Sequence, residues 1–156
     1  MTCCFFGHRD TPDCIAPHLE QAVRQVIEQN GITRFLVGHQ GSFDRIVIRV
    51  LSHLQAEYPQ IRCYIVLYRM PENTCLEYPL ETLYPEVLAG IPAKFAIDRR
   101  NQWMLAQSSA VISFVRFSTG CSKRYLSMAE KSAKICINLA NFHSIDQITK
   151  ESCSIL

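Results

Sequence analysis

The sequence predicts an α/β fold of the Rossmann-like, three-layer kind: an open, mainly parallel five-stranded sheet with helices on both faces. Three observations predict it. Five apolar runs, at residues 3–6, 34–37, 62–67, 110–115 and 135–139, are short, β-branched or aromatic and nearly continuous, as parallel strands covered on both faces require. Helical apolar patterns lie between them. Three glycine-containing loops, Phe6-Gly7-His8-Arg9-Asp10, Gly38-His39-Gln40-Gly41-Ser42-Phe43-Asp44 and Ser118-Thr119-Gly120-Cys121-Ser122, each follow a strand-like run directly and lead directly into a helical pattern.

Taken in order, the first strand feeds a helix whose face carries Ile15, Leu19, Val23, Val26 and Ile27, with Gly31 placed to close it at C′. After the second strand, Ser42 is the N-cap candidate of a helix bearing Phe43, Ile46, Val47, Val50, Leu51 and Leu54, and Pro59 follows its end. Asp98 is expected to start a third helix marked by Trp103, Met104 and Ala106. Tyr125, Leu126, Ala129 and Ala133 mark a fourth. Alternation of this type implies right-handed crossovers and the strand order 3-2-1-4-5. The chain reverses direction between strands one and four, which makes a crevice at their carboxyl ends where open α/β sheets bind ligands.

Residues 70–97 break the rhythm. They hold Pro71, Pro79, Pro85 and Pro92, four of the seven prolines, together with Glu72, Glu77, Glu81 and Glu86. This reads as a long excursion with at most a short helix near 80–88, serving as a lid, ligand wall or subunit contact, or else as a surface insertion. Residues 141–156 read as a peripheral tail with a short helix at 145–149.

A length of 156 residues fits a single domain spanning the chain. Hydrophobic content of 48% with 19% charge is globular, and no apolar run approaches the roughly 20 residues of a membrane span. The N-terminus lacks the basic region of a signal peptide. Four of the eight cysteines, Cys3, Cys4, Cys63 and Cys136, fall in strand-like runs, which suits buried thiols in a reducing, cytoplasmic setting. The final Cys153-Ser154-Ile155-Leu156 formally matches a prenylation box, but its second position is not aliphatic and no polybasic stretch precedes it. A net charge of +2 does not point to nucleic acid. No CxxC pair or zinc-type Cys/His spacing predicts a metal, and no cofactor is expected.

The chemistry-bearing residues gather at the loops. Arg9 supplies a planar fork suited to phosphate or carboxylate and His8 can donate, accept or titrate near neutrality; alternatively Arg9 pairs with Asp10 or Asp13. Gly38 and Gly41 bracket a turn where backbone can approach a ligand, and Asp44 stands in the first turn of the second helix. Arg99 and Arg100, followed by Asn101, are cations in what reads as a first helical turn. They therefore require either a nearby anion or pairing with the acidic excursion. Trp103 reads as core rather than as a stacking platform. Ser118, Thr119, Gly120 and Ser122, backed by Lys123 and Arg124, form a phosphate-cradle candidate that is neither a P-loop nor a GxGxxG turn. Cys121 at that helix start is a candidate low-pKa thiol.

Three segments together resemble a known family. Cys3-Cys4-Phe5-Phe6-Gly7-His8-Arg9 resembles the C-x-F-x-G-H-R opening of the YpsA-like bacterial branch of the SLOG superfamily. Gly38–Asp44 is similar to its G-x-x-G-x-F-D, and Arg100-Asn101-Gln102-Trp103-Met104 to its R-N-x-W-M. That superfamily includes the lonely-guy phosphoribohydrolases and the DNA-processing protein DprA. The resemblance implies a Rossmann-like fold, a nucleotide-derived ligand and homodimers. The lonely-guy motif P-G-G-x-G-T-x-x-E is replaced here by Phe117-Ser118-Thr119-Gly120-Cys121-Ser122-Lys123-Arg124-Tyr125, without the closing glutamate. Binding of a nucleotide or its derivative, as in a sensor, is therefore the leading expectation. The alternative is N-glycosidic hydrolysis of nucleoside monophosphates with Asp44 or His8 as acid or base. DNA binding in the manner of DprA ranks third. Leu76, Tyr78, Leu80, Leu83 and Tyr84 are expected to be exposed on the excursion and to serve dimerisation.

Overall fold

Alternate side chains of the first strand, β1 (Thr2–Gly7), divide the molecule into two cores. Cys3 and Phe5 point to one face, where they pack with helices α1 (Ala16–Asn30) and α2 (Ser42–Glu57). Cys4 and Phe6 point to the other, against α3 (Ala93–Gln107) and α4 (Cys121–Lys131). These residues are all 5% exposed or less, which is why β1 reads as an unbroken apolar run rather than an alternating one. The computed structural model describes residues 1–71 and 77–142.

The remaining strands are β2 (Arg34–Val37), β3 (Arg62–Val66), β4 (Glu81–Leu83), β5 (Ala110–Phe114) and β6 (Ile135–Asn138). All neighbours are parallel, in the order β4-β3-β2-β1-β5-β6. Cys4 lies between Leu36 and Val111, so the first-strand core is buttressed from both sides. The protein is thus a three-layer α/β fold whose sheet has six strands, one more than the sequence predicts. Gly31, at φ 65°, ends α1 as expected. Trp103 is half-buried against the second core.

The sixth strand comes from the excursion. Glu81–Leu83 adds to β3, with Leu67 N–H donating to the Leu83 carbonyl at 2.8 Å, and a single 3-10 turn at Glu86–Leu88 stands where a short helix is expected. That pairing draws part of the excursion's apolar side chains inward, while Met70, Val87 and Phe95 stay exposed. Leu80 is buried, Tyr78 and Tyr84 pack on the first core and Leu83 on the second, so they do not form the exposed surface the sequence suggests. Leu76, Glu72, the helix expected at 145–149 and the terminal Cys153-Ser154-Ile155-Leu156 lie outside the described residues.

Three helix starts and one helix end differ from expectation. The first loop runs on through Pro12 and a 3-10 turn at Asp13–Ile15 before α1 begins, so no helix starts directly behind Gly7. Gly41, not Ser42, is the N-cap of α2, and Ser42 Oγ instead accepts from Arg45 Nη2 at 3.0 Å. Pro92, whose ring fixes an extended entry, caps α3, which starts at Ala93 rather than Asp98. Ala133 lies beyond α4 at φ 52° rather than on its apolar face. Among the described residues no helix is long and apolar enough to cross a membrane. Cys3, Cys4, Cys14, Cys63, Cys121 and Cys136 are free thiols, and burial pushes Cys4 and Cys63 up to about 12. Cys3, Cys4 and Cys63 pack as small apolar groups in the core.

Candidate functional site

A cleft of about 400 Å³ opens at the carboxyl end of β1, where neighbours β2 and β5 lead away in opposite directions. This is the switch point of the sheet. Its walls come from Phe5 to Arg9, from Gly38, Gln40 and Asp44 of the β2–α2 connection, from Lys94, Ile97, Asp98, Arg100 and Asn101 of α3, and from Cys121, Ser122 and Tyr125 of α4.

The deepest polar pair sits beside Gly38. A Cβ there would lie 2.6 Å from Asp44 Oδ2 and 2.9 Å from Arg100 Nη2, so only glycine lets both side chains close over the same backbone. Asp44 is 8% exposed and accepts the Gln40 N–H at 2.8 Å. Its position in the first turn of α2 also favours a negative charge. Burial outweighs these aids and pushes its carboxyl up to about 6, opposed by the Gln40 N–H and the Arg100 charge.

Arg100 is 2% exposed, yet its hydrogen bonds go to neutral acceptors. Nε and Nη2 donate to Asn101 Oδ1 at 3.0 and 2.9 Å, and Nη1 donates to the Val66 carbonyl at 3.3 Å. Among the described residues no carboxylate forms an ion pair with it. Burial lowers its pKa, opposed chiefly by the charge of Asp44. Asn101 thus holds the guanidinium plane of a residue that lines the cleft.

This corrects the first-turn argument for Arg99 and Arg100. Because α3 starts at Ala93, both lie in its second turn, where the helix dipole exerts little force. Arg99 is exposed and reaches Gln102 at 3.4 Å. Among the described residues neither arginine pairs with Glu77, Glu81 or Glu86.

On the first loop, His8 Nε2 accepts the Arg116 N–H at 3.0 Å, which assigns the neutral imidazole its proton at Nδ1. Burial lowers the His8 pKa, opposed by Asp10 and aided by Arg116. Arg9 lines the cleft with an exposed side chain and enters no ion pair among the described residues; Asp13, its alternative partner, pairs with Arg49 at 3.0 Å. The Arg9 carbonyl accepts the Ser42 N–H at 2.9 Å, occupying one free donor of α2. Gly7 packs on Phe43, whose ring would be 2.2 Å from an added Cβ.

The loop before α4 is brought in only partly. Ser118, Thr119 and Gly120 are exposed and none lines the cleft, whereas Cys121 and Ser122 do. Ser122 Oγ donates to the Gly7 carbonyl at 2.8 Å, so its hydroxyl fastens α4 to β1. Gly120 caps α4 with no side-chain bond to the helix donors. Arg124, expected to back the cradle, is tied to Asp98 and donates to Tyr125 OH at 2.8 Å.

Lys94, Asp98, Tyr125 and Gln40 are wall residues that sequence reasoning did not select. Asp98 accepts from Tyr125 OH, from Arg124 and from Gln102 Nε2, the last at 2.8 Å, and these bonds hold its carboxyl below the usual range, led by Tyr125. Burial and the Asp98 carboxylate raise the Tyr125 phenol. Tyr125 carries the helical apolar spacing of a core residue and does stack on Phe6 at 4.8 Å; only its hydroxyl end serves the cleft. A tyrosine placed on the apolar face one turn into a helix behind a glycine loop is the signal that was available. Among the described residues no three His, Cys, Asp or Glu side chains gather as a metal site needs. No protein-family model and no curated protein matches the chain.

Proposed function

We propose that this protein binds a nucleotide or nucleotide-derived ligand in the switch-point cleft, as a cytoplasmic sensor would. The observation that carries the reading is Arg100, a buried guanidinium in a cleft wall whose hydrogen bonds go to neutral acceptors and which forms no ion pair among the described residues. Arg9 and Lys94 add cations at the same walls, and the uncapped start of α4 adds backbone donors. Buried cations without a contacting anion are costly, and an anionic ligand offsets that cost. Similarity of three segments to the YpsA-like branch of the SLOG superfamily supports the nucleotide character of that anion. Calorimetry with AMP, GMP, CMP and UMP tests it. Arg9→Ala should weaken binding by roughly 1.5–3 kcal/mol, the value of a charge-assisted contact. Unchanged affinity removes Arg9 from the site.

One observation favours a second reading, N-glycosidic hydrolysis of the bound nucleotide. Asp44 is a buried carboxyl pushed up to about 6 in the cleft wall, which suits a general acid near neutral pH. Against it, the first turn of α4 offers Lys123 and Arg124 where a carboxylate would steady positive charge developing at the sugar. Slow or absent release of free base from the four monophosphates is therefore expected. Robust turnover abolished by Asp44→Asn would reverse the ranking. The homodimer implied by the family likeness is tested by light scattering with ligand present; a monomer mass at micromolar concentration refutes it.

A further inference from the structure

Beside the cleft, outside its charged walls, stands a group of aromatic and cationic side chains that the binding reading leaves unused. Phe117, on the connection from β5 to α4, is 55% exposed, one of the larger apolar exposures among the described residues. Its ring centroid lies 4.8 Å from that of His8, with the planes tilted by 54°. The Arg116 guanidinium sits 5.7 Å from the Phe117 ring and 5.2 Å from that of Phe114. His8 itself lines the cleft, so this aromatic cluster begins at the cleft wall and continues outward.

The cluster is held in place. The Arg116 N–H donates to His8 Nε2 at 3.0 Å, which ties the imidazole to the β5–α4 connection, and the His8 backbone carbonyl accepts from Thr11 Oγ1 at 2.7 Å within its own loop. Phe114 beneath is 1% exposed and meets the His8 ring nearly edge-on at 6.4 Å. A fixed ring with an uncovered face costs the apoprotein apolar exposure and little further ordering on binding. Planar heterocycles stack on such faces whatever their identity, because each presents a π-surface.

We infer that His8 and Phe117 form a lip that seats the nucleobase, while the phosphate-bearing part of the same ligand lies inward toward Arg9 and Arg100. This rests on the nucleotide reading above and adds to it the part of the ligand that each wall takes. The cleft's charged side selects the anion, and the lip selects a planar ring attached to it.

The experiment compares AMP with ribose 5-phosphate, which lacks the base, by calorimetry on the full chain and on Phe117→Ala and Phe117→Trp. Because Phe117 is exposed, neither variant should perturb folding, and matched circular dichroism spectra check this. Wild-type protein should bind AMP more tightly than ribose 5-phosphate. Phe117→Ala should weaken AMP by about tenfold and leave ribose 5-phosphate within about twofold, with Phe117→Trp restoring AMP. Equal weakening of both ligands, or none of either, overturns the lip. Equal wild-type affinity for the two ligands overturns the lip and leaves an anion site standing. Binding of neither ligand overturns the nucleotide reading together with the lip.

Discussion

The connections β2–α2 and β5–α4 both end in a glycine with an extended left-handed backbone, Gly41 at φ 91°, ψ −175° and Gly120 at φ 105°, ψ 170°. Side chains other than hydrogen rarely adopt that region. The two differ in what surrounds them. A Cβ on Gly41 would meet the Arg9 backbone at 2.8 Å, while a Cβ on Gly120 would meet nothing within 4 Å. The first loop is filled: Arg9 occupies a donor of α2, Gln40 binds Asp44, and Gly38 is squeezed between Asp44 and Arg100. The second is open, with Ser118, Thr119 and Gly120 in solvent. Two loops of the same local pattern thus differ in what they hold. One sets Asp44 and Arg100 side by side over Gly38, and the other stands open to solvent.

The largest test of this contrast is paired alanine substitution. Gly120→Ala should cost about 1–3 kcal/mol, the strain of the backbone region alone. Gly41→Ala adds a clash with backbone that cannot yield and should cost about 3 kcal/mol or more. Chemical denaturation measures both, and equal losses would erase the distinction between a filled and an open loop.

The second test uses pH and concerns the filled loop only. Asp44 holds its proton to about 6 when folded and to the ordinary 3.8 when unfolded. Between those values the native state binds more protons than the unfolded one. This group's contribution therefore makes stability fall as pH rises from about 4 to 6, by on the order of 2–3 kcal/mol in all. Asp44→Asn keeps an acceptor for Gln40 and removes the titration. The wild-type minus variant difference in urea unfolding should decline across that window; a flat difference refutes a raised Asp44.

The smallest expected effect lies at the open loop. Ser122→Ala deletes one hydrogen bond to Gly7 and should cost about 0.5–1.5 kcal/mol. A loss comparable with Gly41→Ala would mean that the open loop is as tightly braced as the filled one.

Strand positions and sheet order were legible because β1, β2, β3 and β5 are apolar on both faces, a pattern that only a covered parallel strand demands. The sixth strand was not. Glu81 and Thr82 are exposed, and Glu81–Leu83 is strand only because β3 offers a free ladder beside it, a tertiary cause with no local signature. Gly7, His8, Arg9, Gly38, Asp44, Arg100, Asn101 and Ser122 line the cleft, whereas Gly41, Ser118, Thr119 and Gly120 do not. Loop residues were readable from their place after strands. Lys94 and Asp98 were missed because α3 begins a turn and more ahead of the start expected for it, which puts Lys94 on the helix rather than in the excursion and Asp98 beyond the first turn. Asp98 was read as a helix start and is instead the acceptor for Tyr125 and Arg124.

The excursion has a consequence for aggregation. Its strand is three residues long, with Pro79 and Pro85 close on either side, and it forms one edge of the sheet among the described residues. At the opposite rim β6 is four residues long and runs straight into a 3-10 turn, where Asn138 Oδ1 accepts from Ala140 N–H. A second chain attempting to extend the sheet at either rim meets a ladder of three or four rungs that ends in proline or in a turn. Among the described residues, the free edge backbone at each rim is thereby kept short. Extension of the sheet at either of these described rims is thus disfavoured as a route to self-association.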